Sequence, residues 1–402
     1  MKYTPQEVIQ YIQEEDVKFI RLAFCDVQGR HKNISIMPSE LERAFKYGIA
    51  VDASAIDGFG DEAHSDLFLR PDPTTIAVLP WRPEHGRVIR MFCTVTDQDG
   101  NVFPHDTRGI LKQAIADAAE AGYSFSFGSE LEFYLFKLDE RGEPTSIPYD
   151  RASYMDVAPE DKCENVRREI CLTLERMGIA PESSHHEQGH GQNEIDFRYS
   201  DALTAADQAL TFCTVVKTIA ASNGLYADFS PKPLADRPGS GFHINMSVKG
   251  GSPEQMEHMM GGVLRHVADM TRFLNPTEQS YRRLGFYKAP KFISWSNNNR
   301  SMLIRVPAAS GEYCRMELRS PDCTANPYIA FALLIWAGLE GLKNGICPPE
   351  KANVNLCTAI SSELSDMETL PLSLHAAKKK AESSAFIRAH LPQSLIDHFC
   401  RE

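Results

Sequence analysis

Five glutamates and one histidine stand in this sequence among apolar residues at alternate positions. Glu130 and Glu132 alternate with Leu131 and Phe133, and Glu194 precedes Ile195 and Phe197. His243 lies between Phe242 and Ile244, Glu317 lies between Met316 and Leu318, and Glu187 follows two histidines. Successive side chains of a strand point to opposite faces, so the alternation predicts strands with one apolar and one charged face. Glu130 and Glu132 on one face would stand ~7 Å apart, and like charges that close raise each other's pKa unless a cation lies between them. Oxygen donors with a single imidazole suit hard divalent ions, Mg²⁺ or Mn²⁺, rather than a thiolate site. A solvated face with surface ion pairs accounts for the alternation equally well.

The arginines add a second chemistry. Arg283, Arg300, Arg305, Arg315 and Arg319 fall in one short segment, and Arg315 and Arg319 flank Glu317. A guanidinium presents a planar fork of donors that matches carboxylate and phosphate oxygens, so metals plus arginines describe phosphoryl transfer to an acidic substrate. A glycosidase needs only its pair of carboxylates. The whole chain, 402 residues with a net charge of −12, lacks the basic surface that a general nucleic-acid or acidic-membrane binder needs. Any polyanion must therefore be met locally.

Those residues need elements to hold them. The length predicts two or three domains. Strand-like segments at residues 19–26 and 87–96, separated by turn signals, predict a small α+β unit. A helix capped by Asp106 or Thr107 and closed by Gly122 follows, which puts a domain boundary between residues 103 and 104. The expected domains are 1–103 and 104–402. Further helices are predicted at 160–177, 203–222 and 254–274, with another opening at Asn326 and Pro327. An antiparallel sheet packed on helices by its apolar face, with the charged face lining a cleft, would account for the alternation. The first twenty residues lack the apolar run of a signal peptide and no apolar stretch is long enough to span a bilayer, so a cytoplasmic protein without a membrane partner is expected. The ten cysteines include no CxxC pair and are expected to be mostly reduced, buried, small apolar residues.

Several long motifs, in order, resemble the glutamine synthetase family: VDASAIDGF, SDLFLRPDP, GSELEFYLF, SHHEQGHGQNEIDF, PKPLADRPGSGFHINMSV, SYRRLG, NRSMLIRVP and RMELRSPDCTANPYIAFALLIWAGLEG. The resemblance runs from about Asp52 to Asn344. It implies an α+β chain: a small N-terminal β-grasp domain, then a large α/β catalytic domain whose curved antiparallel sheet lines a metal-binding cleft. It implies homo-oligomeric rings with active sites at subunit junctions, two or more Mg²⁺ or Mn²⁺ ions per site, and ATP, L-glutamate and ammonia or a primary amine as substrates. By motif, Glu132, Glu187 and Glu194 would bind one metal, and Glu130, His243 and Glu317 the other. Arg300 and Arg305 resemble the pair that stabilises the transferring phosphoryl group, with Arg315 and Asn245 in the ATP-phosphate set. Gly239, Arg283 and Arg319 match the glutamate-binding positions. Asp52 resembles the residue that binds ammonium for the neighbouring subunit, with Asp66 as a second candidate. The implied reaction phosphorylates the γ-carboxylate of glutamate and then forms an amide.

Three features depart from the family pattern. Lys288 stands where a flap glutamate is expected before Ala289 and Pro290, and its ammonium would repel a bound ammonium ion. Pro238 stands where the resemblance leads one to expect an asparagine before Gly239, and the resemblance implies a further C-terminal helix beyond the position of Glu402. Glutamine formation and γ-glutamyl amide formation with a larger amine are both open from the sequence, and a noncatalytic family member is the reading from another class.

Overall fold

Two sheets order the chain in the computed structural model, which describes residues 3–61, 63–82, 85–308, 314–360 and 364–401. The first half comprises α1 (Pro5–Glu14), β1 (Val17–Cys25), β2 (His31–Ile36), α2 (Leu41–Tyr47), β3 (Ile49–Asp52), β4 (Asp66–Pro71), β5 (Ala77–Val78) and β6 (Arg87–Thr96). Its strand order is β2-β1-β6-β4-β3, with β5 also on β6. β1 and β6 run parallel at the centre while the other pairings are antiparallel, the mixed sheet expected of a β-grasp domain. The intervening elements supply the long crossover that a parallel pair requires.

The second half comprises α3 (Thr107–Glu120), β7 (Phe125–Leu138), β8 (Pro144–Pro148), α4 (Glu164–Arg176), β9 (Pro181–His186), β10 (Gln192–Asp201), α5 (Ala202–Ser222), β11 (Leu225–Asp228) and β12 (Phe242–Val248). It continues with α6 (Pro253–Leu274), α7 (Glu278–Arg283), β13 (Trp295–Asn297), β14 (Ile304–Val306), β15 (Met316–Leu318), α8 (Pro327–Asn344), α9 (Leu374–Ser383), α10 (Ala385–His390) and α11 (Gln393–Cys400). The strands form one sheet, ordered β13-β14-β15-β12-β7-β10-β9, with β8 and β11 also pairing to β7. It is antiparallel as expected, except at its edge, where β13 and β14 pair in parallel. Leu131, Phe133, Ile195, Phe197, Phe242, Ile244 and Met246 point into the core on its inner face. There Phe127 stacks on Phe331 of α8, with ring centroids 4.4 Å apart. α8 is apolar around nearly its whole circumference because α3, α5 and α6 enclose it. None of the described helices is long and apolar enough to cross a membrane.

The helix signals hold with two changes, one being that the helix expected from residue 160 begins only at Glu164. α6 carries a capping box between Ser252 and Gln255, and Asn326 caps α8 at Tyr328 N. Asp106 precedes α3 as expected, but its carboxylate turns away to accept from Val95 N (3.1 Å), and burial pushes its pKa up to about 6. The two halves are joined by buried polar contacts. Arg108 reaches both Asp207 (2.9 Å) and Asp72 (3.0 Å), and Asn326 Nδ2 donates to Val27 O (3.1 Å). No disulfide forms among the described residues; contrary to expectation, only Cys25, Cys93 and Cys163 of the ten are buried. Cys171, Cys213, Cys323 and Cys400 are half-buried against the core, and Cys314, Cys347 and Cys357 are exposed.

Candidate active site

Strand register brings the acids together. On β7, Glu132 faces Glu194 of β10, and Glu130 faces Asp196 of β10 on one side and His243 of β12 on the other. Asn245 of β12 faces Glu317 of β15, which in turn faces Arg305 of β14. One polar face thus crosses five strands: its Glu130, Glu132, Glu194, Asp196, His243 and Arg305 line a cavity of about 480 Å³, and Asn245 lines a smaller one that shares Glu130, Asp196 and Arg315 with it. A larger cavity, about 800 Å³, opens beside Lys137 and Arg237 and contains none of the expected metal residues.

Glu317 is fully buried and lies at the centre of a charged knot. It accepts from Arg305 Nη1 (2.6 Å) and from Arg319 Nη1, with His243 Nδ1 3.6 Å away. His243 Nδ1 also lies 3.2 Å from Glu130, whose other oxygen accepts from Asn245 Nδ2 (2.8 Å). Burial works against ionisation of Glu130, but the hydrogen bond and charge of His243, with Asn245, outweigh it and hold the pKa at about 2. Glu130, His243 and Glu317 therefore converge as one group able to hold a metal ion.

The second group behaves oppositely. Glu132 and Glu194 lie together beside His243, and Glu187 and Glu194 lie together beside His185. Burial, with the charge of Glu132, pushes Glu187 up to about 7. Burial and four neighbouring carboxylates drive Glu194 well above its ordinary value. Asp196, buried beside Glu130, rises to about 7, and its Oδ1 is enclosed without a hydrogen-bond partner. Acids crowded this way, with an orphaned oxygen, match the donor set of a hard divalent cation. The residues present fit the expected metals.

The remaining expected residues divide by place. Gly239, Arg283, Arg300, Arg305, Arg315, Arg319 and Lys288 all line the 480 Å³ cavity. A Cβ on Gly239 would lie 2.2 Å from Pro231 O, so only glycine allows the chain to pass there. Arg283 is buried beneath it, donating to Ser320 O (2.8 Å) and Arg319 O (3.3 Å). Arg315 Nε donates to Asn245 Oδ1 (2.8 Å), and Arg300 is exposed at the rim. Lys288 Nζ lies 5.8 Å from the Tyr154 ring centroid. Asp52 and Asp66 are not brought to this cavity: they face each other on β3 and β4 of the other sheet. The Asp52 carboxylate, exposed, accepts from Ser54 N and Oγ, which holds its pKa down.

Sequence reasoning missed His185, whose Nε2 lies 3.4 Å from Glu194, and Asp196. The signal for Asp196 was present, since it follows Glu194 by two residues and shares its strand face. It missed Gln192 as well, which donates to Gly239 O (3.1 Å) and reaches Glu132 (3.4 Å), tying the glycine turn to the acid cluster.

Comparison with known proteins agrees with this geometry. Residues 16–98 match the glutamine synthetase β-grasp domain, and residues 104–402 match the glutamine synthetase catalytic domain. The chain is 44% identical to glutamine synthetase of Clostridium saccharobutylicum over 392 residues, covering 94% of this chain and 88% of that protein. It is 44% identical to glutamine synthetase of Methanosarcina mazei over 412 residues (98% and 92%). The glutamine synthetase of Staphylococcus aureus strain Mu50 is 41% identical over 414 residues (99% and 93%). Among solved structures, GmaS in complex with ADP superposes with a TM-score of 0.88 at 28% identity, covering 98% of this chain and 93% of that one. On sequence and fold together, the chain belongs to the glutamine synthetase family.

Proposed function

We propose that this protein is an ATP-dependent glutamate–ammonia ligase. The observation that carries the reading is the knot around Glu317, which locks Arg305 and Arg319 at the wall of a cavity floored by two carboxylate groups. Family membership supports it, as do relatives at 41–44% identity that are glutamine synthetases and the ADP bound to the similar GmaS.

In this reading Glu132, Glu187 and Glu194 would hold one divalent ion, and Glu130, His243 and Glu317 would hold another. Bound there, such ions would supply charge neutralisation at the nucleotide phosphates. Arg283, Arg319 and the backbone at Gly239 hold L-glutamate. Arg300, Arg305, Arg315 and Asn245 meet the phosphates, and fixed guanidiniums stabilise the charge that develops on the transferring group. A γ-carboxylate oxygen attacks the γ-phosphorus of ATP, forming an acyl phosphate and releasing ADP. Ammonia attacks the acyl carbon, phosphate leaves, and the amide nitrogen gives up a proton. The domains run 1–103 and 104–402, and in a homo-oligomer Asp52 of one subunit, ionised and exposed, completes the neighbour's site as the ammonium-binding group.

The test is phosphate and glutamine release by purified protein with Mg²⁺, ATP, L-glutamate and ammonium. Release that requires all four is expected. No release under any condition, with nucleotide binding retained, overturns the reading. Lys288 makes a further point testable. Its ammonium disfavours a cation in the cavity, so the apparent KM for total ammonia should fall with rising pH in step with the neutral fraction. Lys288→Glu should lower that KM and flatten its pH dependence. Primary amines serve as the comparison: turnover with a larger amine and none with ammonia would refute the assignment of ammonia.

A further inference from the structure

Behind the hairpin that joins β9 to β10 lies a buried polar cluster that the proposed chemistry does not use. Asp150, its side chain fully enclosed, accepts four donors. One oxygen takes His186 Nε2 (2.9 Å) and Gly191 N (3.0 Å); the other takes Lys162 N (3.0 Å) and Cys163 Sγ (3.2 Å). The opposite ring nitrogen of His186 meets Glu187 O (2.7 Å). His186 and Gly191 bracket the turn that carries Glu187, and Glu194 follows three residues later on β10. The same turn reaches the rest of the site, because Gly189 N donates to Gln192 Oε1 (2.9 Å), and Gln192 Nε2 donates to Gly239 O.

We propose that Asp150 is a positioning residue for metal binding: by holding His186 and Gly191 it fixes both ends of the turn that carries Glu187, without itself reaching the catalytic cavity. The inference rests on the metal reading of that cavity. Its logic is that of outer partners that orient metal ligands, whose loss costs about 10–100-fold in metal affinity. All four partners of Asp150 donate, so an amide at this position must turn its own donor toward another donor. Asp150→Asn therefore disturbs the turn with no change of size. His186→Gln reaches the same contact from the other side, since one side-chain amide cannot serve both Asp150 and Glu187 O.

A structural control lies in the same cluster. Asp161 pairs with Arg167 and accepts from Cys163 N, and it hydrogen-bonds neither His186 nor the turn directly; its link to the turn is one step longer, through Arg167 to Asn193, which donates to Gly191 O. The experiment is calorimetric titration of Mn²⁺ into the full-length protein without nucleotide, alongside melting temperatures. Asp150→Asn and His186→Gln should weaken Mn²⁺ binding about tenfold or more. Asp161→Asn, one step further from the turn, should lower the melting temperature and weaken Mn²⁺ binding clearly less than either of those substitutions. Unchanged affinity in a folded Asp150→Asn or His186→Gln protein overturns the proposal, as does an equal loss in Asp161→Asn, which would make the cluster's role purely structural or make the cluster, with Cys163, a site of the ion itself. Should Asp150→Asn not fold, His186→Gln decides. Calorimetry reads metal binding without turnover, so a failure of the ligase reading leaves this result intact.

Discussion

Glu317 concentrates the problem this site has to solve at the scale of a single residue. It is completely buried, yet two guanidiniums and an imidazole lie against it, and each of those groups also faces the cavity. A buried carboxylate is tolerated because its partners are charged, and removing the charge strands the partners instead. Glu317→Gln keeps the shape and loses the charge. It should cost about 3–5 kcal/mol of stability through the uncompensated Arg319, and lower kcat about 100-fold or more through the loss of a fixed electrostatic frame. Chemical denaturation and steady-state kinetics read the two effects separately. Retained kcat in a folded Glu317→Gln protein would contradict both the metal role of Glu317 and its hold on the arginines. Asp52 poses a different case, because its carboxylate is exposed and remote from its own chain's cavity. Asp52→Ala should leave the melting temperature nearly unchanged and reduce ammonia-dependent turnover. A mixture of Asp52→Ala and Glu317→Gln subunits, assembled together, should recover some activity if a site borrows Asp52 from its neighbour.

Among the elements, α8 links the two halves of the chain through its cap. Asn326 caps the helix with Oδ1 while Nδ2 serves Val27 O in the turn after β1, and Gly29 leaves room for it: a Cβ there would lie 2.9 Å from Asn326 Cα at a φ of +77°. Asn326→Ala should therefore cost about 1 kcal/mol for the lost cap and about 1–3 kcal/mol more for the orphaned carbonyl. A denaturation midpoint indistinguishable from the parent protein would show that the cap does not tie the halves together. The helix itself was legible in advance, since Asn326 and Pro327 mark its start and an apolar run its body. So was the alternation of Glu130, Glu132, Glu194, His243 and Glu317, because strand period is a local property. Register is not local. That Glu132 faces Glu194, and that Glu130 lies between Asp196 and His243, depends on which strands pair and at what offset, which alternation within one strand leaves open. Asp106 shows the same limit at a helix end, where a competing acceptor role at Val95 N redirects a side chain whose sequence position favoured the cap.

For the whole molecule, the net charge of −12 is unevenly carried, with part of it forced into one enclosed group of acids on β7, β10 and the turn before β10. Glu187 and Asp196 have folded pKa values pushed up to about 7, against ordinary values of 4.5 and 3.8. A carboxyl whose pKa is raised by folding binds its proton more tightly in the native state. Its contribution to stability is thus present at pH below the ordinary value and is lost as pH rises toward about 7. Metal-free protein should accordingly lose stability between about pH 4.5 and 7 as these acids ionise against one another. A divalent cation removes that repulsion by favouring the ionised forms, and it must displace protons to bind where they are still held. The stabilisation produced by Mg²⁺, measured as the melting-temperature difference with and without the ion, should therefore be small at pH 5 and grow through pH 7.5. Titrations in buffers of different ionisation enthalpy should show protons released on binding near pH 6 and fewer at pH 8. A stabilisation independent of pH, with no proton release, would mean that the ion does not bind at these carboxylates, and that the crowded acids serve the fold rather than the metal.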